Sequence, residues 1–179
     1  ELEYNFSADE ILLSHPAAFL EAMKSIGRTW KNWFEIQIDR RKKWVEDWEK
    51  HLFEEASKDA KLKRKMHPLQ LGVDIISEMN DDDWLVFDGG NTHFWNEIAV
   101  NMSGWRGKKL GGIMHPGNYS LLGVGISFGI SAKAAHPDKN VIVISGDGAF
   151  LSGGLSVESA FQEGLPIVVV IDNNGGLDC

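Results

Sequence analysis

From residue 67 onward the chain alternates short unbroken apolar runs with stretches of helical spacing. The runs are "WLVF" at 84–87, "NVIVI" at 140–144 and "PIVVVI" at 166–171. They are rich in β-branched residues and do not alternate with polar ones, the pattern of strands buried on both faces of a parallel sheet. Between them, helices are predicted from about Pro68 to Met79, near His93 to Val100, across "LLGVGISFGISAKAAHP" and near "GLSVESAFQEG". A loop rich in Gly and Lys separates the second of these helices from the third. Strands and helices taking turns in this way specify an α/β fold, a parallel sheet with helices on both faces.

The first third of the chain has a different texture. Residues 1–27 pair a short extended piece with "HPAAFLEAMKSIG", where Pro16 suits the first turn of a helix and Gly27 its cap. Residues 28–66 are dense in charge and aromatic rings, with Trp30 and Phe34, then Trp44, Trp48 and Leu52, at intervals of four. That spacing predicts a long amphipathic linker helix whose tryptophans pack against a neighbouring domain. Three parts are therefore expected: the end of one domain at 1–27, a helical linker at 28–66, and a second domain at 67–179. With no initiating Met and a strand and turn at its close, the chain reads as an interior segment.

Charge and composition narrow the classes. Eighteen Lys and Arg against 26 Asp and Glu leave a net charge of −8, which argues against a general nucleic-acid or anionic-membrane binder. The single Cys179 can form neither an internal disulfide nor a cysteine-based metal site. No stretch reaches 18 apolar residues, and "ELEYNF" lacks the basic and apolar regions of a leader. A soluble, cytoplasmic protein is expected.

In open α/β sheets ligands sit beyond the carboxyl ends of the strands. Three polar loops follow strands here: "DGGN" at 88–91, "SGDGAF" at 145–150 and "DNNGG" at 172–176. If the last two strands are neighbours, Asp147 and Asn174 project near each other. A carboxylate with a neutral amide oxygen suits a hard cation such as Mg²⁺, which completes its shell with phosphate oxygens and water. Gly146 and Gly148 let backbone approach a diphosphate, and the helix that follows presents free N–H groups. The tripeptide Gly-Asp-Gly alone also occurs as a plain turn.

The distance between the two loops adds to it. Gly146-Asp147-Gly148, followed by a helix, a strand and Asn173-Asn174 with 27 positions between Asp147 and Asn174, resembles the thiamine-diphosphate motif of the family that includes acetolactate synthase, pyruvate oxidase, benzaldehyde lyase and 2-hydroxyacyl-CoA lyase. The resemblance implies that Asp147, Asn174 and the Gly176 carbonyl hold Mg²⁺, with Gly146, Gly148 and Ala149 around the diphosphate. It also implies that Leu122, before Gly123, wedges thiamine diphosphate into a bent conformation, and that the Ser120 carbonyl accepts from its aminopyrimidine. "WLVFDGGNTHFW" and "HPLQLGVDIISEMNDDD" are similar to the opening of the same cofactor domain, and "SADEILLSHPAAFLEAMKSI" to the end of the family's central domain.

Such an enzyme cleaves or joins carbon–carbon bonds of a 2-oxo acid or 2-hydroxyacyl-CoA as a lyase, decarboxylase or carboligase. It also needs an activating glutamate on a separate pyrimidine-binding domain or subunit, to which nothing in this chain corresponds. The chain is thus expected to supply half a site, in a homo- or hetero-oligomer. His93, His115 and Asn91 sit on loops that could face the reacting carbonyl. Of these, His115 in "MHPGN" is the candidate proton shuttle, against the plainer reading of a loop histidine fixed by Pro116. Glu158 and Glu163 are expected to be merely solvated. The alternatives are the β subunit of a 2-oxo acid oxidoreductase, against which a lone cysteine counts, and a non-catalytic Mg²⁺ and phosphate-binding module.

Overall fold

The computed structural model of the chain describes residues 15–24, 31–62 and 66–176. The chain forms two compact units, residues 1–41 and 42–179. In the first, α1 (Pro16–Lys24) buries none of its residues, and α2 (Lys31–Leu62) begins. The expected cap Gly27, Trp30, the N-terminal extended piece and Cys179 lie outside the described residues.

The second unit continues with α3 (Pro68–Glu78), β1 (Trp84–Phe87), α4 (Asn91–Trp105), β2 (Gly112–Met114), α5 (Gly125–Ala135), β3 (Val141–Gly146), α6 (Asp147–Gly153), α7 (Val157–Gln162) and β4 (Val168–Asp172). All strand pairs are parallel, in the order β2-β1-β3-β4. The register sets Leu85 beside Ile142 and Phe87 beside Ile144, with Val86 beside Val143 between them. Because side chains alternate along a strand, the two sets face opposite layers. Leu85, Phe87 and Ile144 pack with Val45 and Leu52 of α2, Leu69, Val73 and Ile76 of α3, and Ala99 and Met102 of α4. Val86, Val141 and Val143 pack with Ile126 and Ala132 of α5. Each fully buried Leu or Ile in these layers contributes about 1.5–3 kcal/mol, so helices on both faces are what a sheet of this composition demands.

Several boundaries differ from the sequence expectation. The second helix runs to Trp105 rather than ending near Val100. Part of the expected Gly- and Lys-rich loop is the edge strand β2, whose three residues pair with Trp84 to Val86; a strand that short carries no periodicity to read. Helix α5 starts only at Gly125, because Gly123 sits at φ 83, outside the helical region. Between β3 and α6 there is no loop, since Gly146 both ends the strand and caps the helix. The helix near "GLSVESAFQEG" is α7 behind a 3₁₀ turn at Gly154–Ser156.

The aromatic stripe also shifts. Trp44 is 37% exposed, whereas Val45 is 3% and Leu52 6% exposed, with Trp48 packed beside them. The buried face of α2 therefore runs through positions 45, 48 and 52, and Trp44 flanks it. No helix among the described residues is long and apolar enough to cross a membrane.

Candidate functional site

The strand order places a crevice in the sheet. After β1 the chain crosses to β2 on one side, and after β3 it crosses to β4 on the other, although β1 and β3 are hydrogen-bonded neighbours. Their exits therefore diverge, and such a reversal is where open α/β sheets hold ligands. A cavity of about 800 Å³ lies there, lined by Gly89 to Thr92 after β1, Ser120 and Leu122 before α5, Gly146 to Ala149 after β3, and Asp172 to Asn174 with Gly176 after β4.

The wall after β1 is built on Asp88. This carboxylate is wholly buried. Its Oδ1 accepts the N–H groups of Gly89 (2.9 Å), Gly123 (2.9 Å) and Val124 (3.2 Å), and its Oδ2 accepts the Ser145 hydroxyl (3.0 Å). Four donors compensate the loss of water that burial of a carboxylate imposes. One side chain thus ties the end of β1 to the approach of α5 and to the end of β3. The two loops close tightly: a Cβ on Gly89 would stand 2.1 Å from the Ser120 carbonyl oxygen, so only glycine fits. Ser120 is itself left-handed at φ 48, and its hydroxyl accepts the Gly90 N–H at 2.8 Å.

On the opposite wall the donors are less occupied. Asp147 opens α6, half-buried, and its Oδ1 accepts the N–H of the next residue, Gly148, at 2.8 Å. Because Gly146 pairs with Asp172 across the β3–β4 ladder, the segments carrying Asp147 and Asn174 leave neighbouring strand ends. Asn174 is exposed, and its Oδ1 accepts the Gly176 N–H at 3.2 Å, a local turn that orders the amide. A carboxylate, a carboxamide oxygen and a backbone carbonyl beside a glycine-lined wall form a donor set suited to a hard divalent cation with phosphate oxygens in its remaining positions.

Of the residues singled out from sequence, Ser120, Leu122, Gly146, Asp147, Gly148, Ala149, Asn174 and Gly176 all line this one cavity, and Asn91 joins them. His115 and His93 do not. The His115 ring lies flat on Phe87 (centroids 4.9 Å apart, planes 7° apart), and its Nδ1 accepts the Gly117 N–H at 3.2 Å. The proton-shuttling expectation for His115 therefore has no cavity surface behind it. His93 is 3% exposed, does not line the crevice, and its Nε2 meets Glu97 Oε1 at 2.9 Å. Glu158 and Glu163 are exposed, as expected.

Sequence reasoning missed Asp88 as an organising residue, although an acid directly after "WLVF" and before two glycines was the available signal. It also missed the apolar side of the cavity, formed by Met66, Pro68, Leu71 and Trp95. Those residues lie 50 or more positions before Asp147, and nothing in their local pattern separates them from core.

Comparison with known proteins agrees with this geometry. Residues 88–179 match the family model for the thiamine pyrophosphate enzyme C-terminal TPP binding domain. The chain is 30% identical over 111 residues to a 2-hydroxyacyl-CoA lyase of Oryza sativa subsp. japonica, covering 62% of this chain and 18% of that protein. It is 29% identical over 126 residues to the oxalyl-CoA decarboxylase of Escherichia coli (strain K12), covering 70% and 21%. Among solved structures, the thiamine diphosphate-dependent 4-hydroxybenzoylformate decarboxylase of Rhodococcus jostii RHA1 matches with a TM-score of 0.50 and 29% identity, over 62% of this chain and 20% of that one. The chain thus spans about a fifth of the length of these relatives.

Proposed function

Because the chain belongs to the thiamine pyrophosphate enzymes, we propose that its cavity is the half-site that holds thiamine diphosphate through Mg²⁺. The parent enzyme cleaves or joins a carbon–carbon bond of a 2-oxo acid or a 2-hydroxyacyl-CoA. What supports the reading is one observation: the eight cofactor and metal residues that the family resemblance implied line a single cavity at the point where the strand order reverses.

Each residue has a task within that reading. Asp147 Oδ2, Asn174 Oδ1 and the Gly176 carbonyl would hold the cation beside the diphosphate. Gly146 and Gly148 keep side chains out of the diphosphate's way. Leu122 supports the bend of the cofactor, and the Ser120 carbonyl receives its aminopyrimidine amino group. When bound, thiamine diphosphate supplies a nucleophilic carbon that adds to a carbonyl and an electron sink for the carbanion equivalent left behind. Asp88 takes no part in that chemistry; it fixes the Gly89 and Gly123 backbone on either side of it. A pyrimidine-binding domain or subunit carrying the activating glutamate completes the site.

Calorimetric titration with thiamine diphosphate and Mg²⁺, with that partner domain present, tests the reading. Saturable heat is expected from the native chain and none from D147A. Absence of heat from the native chain would overturn the assignment, and turnover with pyruvate set against a 2-hydroxyacyl-CoA then distinguishes the two substrate classes.

A further inference from the structure

Away from the cavity, a second set of ligand-bearing side chains converges. Positions 93 and 97 lie one turn apart on α4, so His93 and Glu97 share a face, and His93 Nε2 stands 2.9 Å from Glu97 Oε1. His115 arrives from the loop after β2, the strand paired to β1, and its ring centroid lies 4.8 Å from that of His93. Phe87, the last residue of β1, forms the floor beneath both rings. One ligand atom from each of His93, Glu97 and His115 lies within 4.8 Å of the other two.

Two further features distinguish this cluster from a chance encounter of polar side chains. His93 is 3% exposed and commits one ring nitrogen, Nε2, to the cluster, its Nδ1 having no hydrogen-bond partner. Glu97, by contrast, keeps 46% of its side chain exposed, so the cluster has rigid rings on the inside and an open carboxylate at its mouth.

We propose that His93, Glu97 and His115 form a binding site for a divalent transition ion of the Zn²⁺ class, separate in place and in chemistry from the hard-cation site at Asp147 and Asn174. Two imidazoles and one carboxylate suit Zn²⁺ and its neighbours, whereas Mg²⁺ prefers oxygen donors throughout. Bonds of about 2.0–2.2 Å at tetrahedral angles set two ligand atoms roughly 3.4 Å apart, so the cluster contracts on loading. Because His93 Nε2 and Glu97 Oε1 already stand 2.9 Å apart, His115, on the loop after β2, supplies that movement. The ion takes the place of the proton between His93 Nε2 and Glu97 Oε1, and that proton moves to Nδ1 of the same ring. His115 binds through Nε2, its ring proton moves to Nδ1, and the Gly117 N–H contact there is given up. The remaining positions of the ion stay open to solvent or to a small anion.

The test uses the full chain and Zn²⁺ alone as the probe, titrated calorimetrically in buffer containing excess Mg²⁺. One ion per chain is expected, with Mg²⁺ failing to compete. E97Q, whose melting without metal is expected to match the native chain, and H115A weaken binding by more than the roughly 10–100-fold that loss of an outer-shell partner costs. D147A binds Zn²⁺ as the native chain does, which keeps this site's failure distinct from failure of the thiamine diphosphate reading. Co²⁺ in place of Zn²⁺ gives a visible absorption band that H115A abolishes. No uptake of Zn²⁺ by the folded native chain overturns the proposal, and so does uptake that survives in both variants, which would place the ion on other histidines.

Discussion

At the end of β1 Asp88 is wholly buried and gathers four donors, while one strand over, at the end of β3, Asp147 is half-buried and gathers one. Both follow an apolar strand and both precede glycine. The difference lies in what surrounds each carboxylate. Asp88 has spent its lone pairs on backbone amides and a hydroxyl, so it can hold the scaffold but has nothing left for a ligand. Asp147 keeps one oxygen and most of its lone pairs turned to the cavity. An identical dipeptide thus becomes a fastener in one place and leaves a carboxylate oxygen open to the cavity in the next.

Removing each acid separates the two roles. D88A leaves the buried Gly89 N–H and Ser145 hydroxyl, with the half-buried N–H groups of Gly123 and Val124, without their acceptor, and should destabilise the chain by about 3 kcal/mol; thermal unfolding should show a midpoint lowered by roughly 6–12 °C. For the native chain with its partner domain, thiamine diphosphate and Mg²⁺ at about a hundred times the dissociation constant should add some 2.7 kcal/mol of stability. D147A should gain none of it, as ligand-dependent melting will register. S120A removes the acceptor for the Gly90 N–H and should cost about 1 kcal/mol in denaturant unfolding. Smallest of all, D147A without ligand should fall within about 0.5 kcal/mol of the native chain; a loss as large as that of D88A would erase the distinction between the two strand ends.

How much of this was legible in the sequence depended on whether the signal was local. The apolar runs at 84–87, 140–144 and 166–171 declared buried parallel strands, because a strand covered on both faces has no polar positions to spare. Asp147 and Asn174 were legible because a spacing, a helix and a strand had to agree at once. Asp88 was not, because its role depends on Gly123 and Ser145, which only the fold brings to it. The aromatic stripe misled by one position: intervals of four select Trp44 and Trp48, but the helix buries Val45, since 45, 48 and 52 share its inner face. His115 looked like a loop histidine before a glycine-rich segment, and its stacking on Phe87 is a tertiary fact that no local pattern carries.

The Asp88 knot has a dynamic consequence. Its oxygens bridge the amides of Gly89, Gly123 and Val124, the last two lying 35 and 36 residues away in sequence, so those protons cannot meet solvent one at a time. Deuterium should enter all three at a common slow rate in the native chain, and in D88A each should exchange at its own faster pace. The exit of β1 and the approach to α5 then behave as a single latch, released whole when the carboxylate lets go.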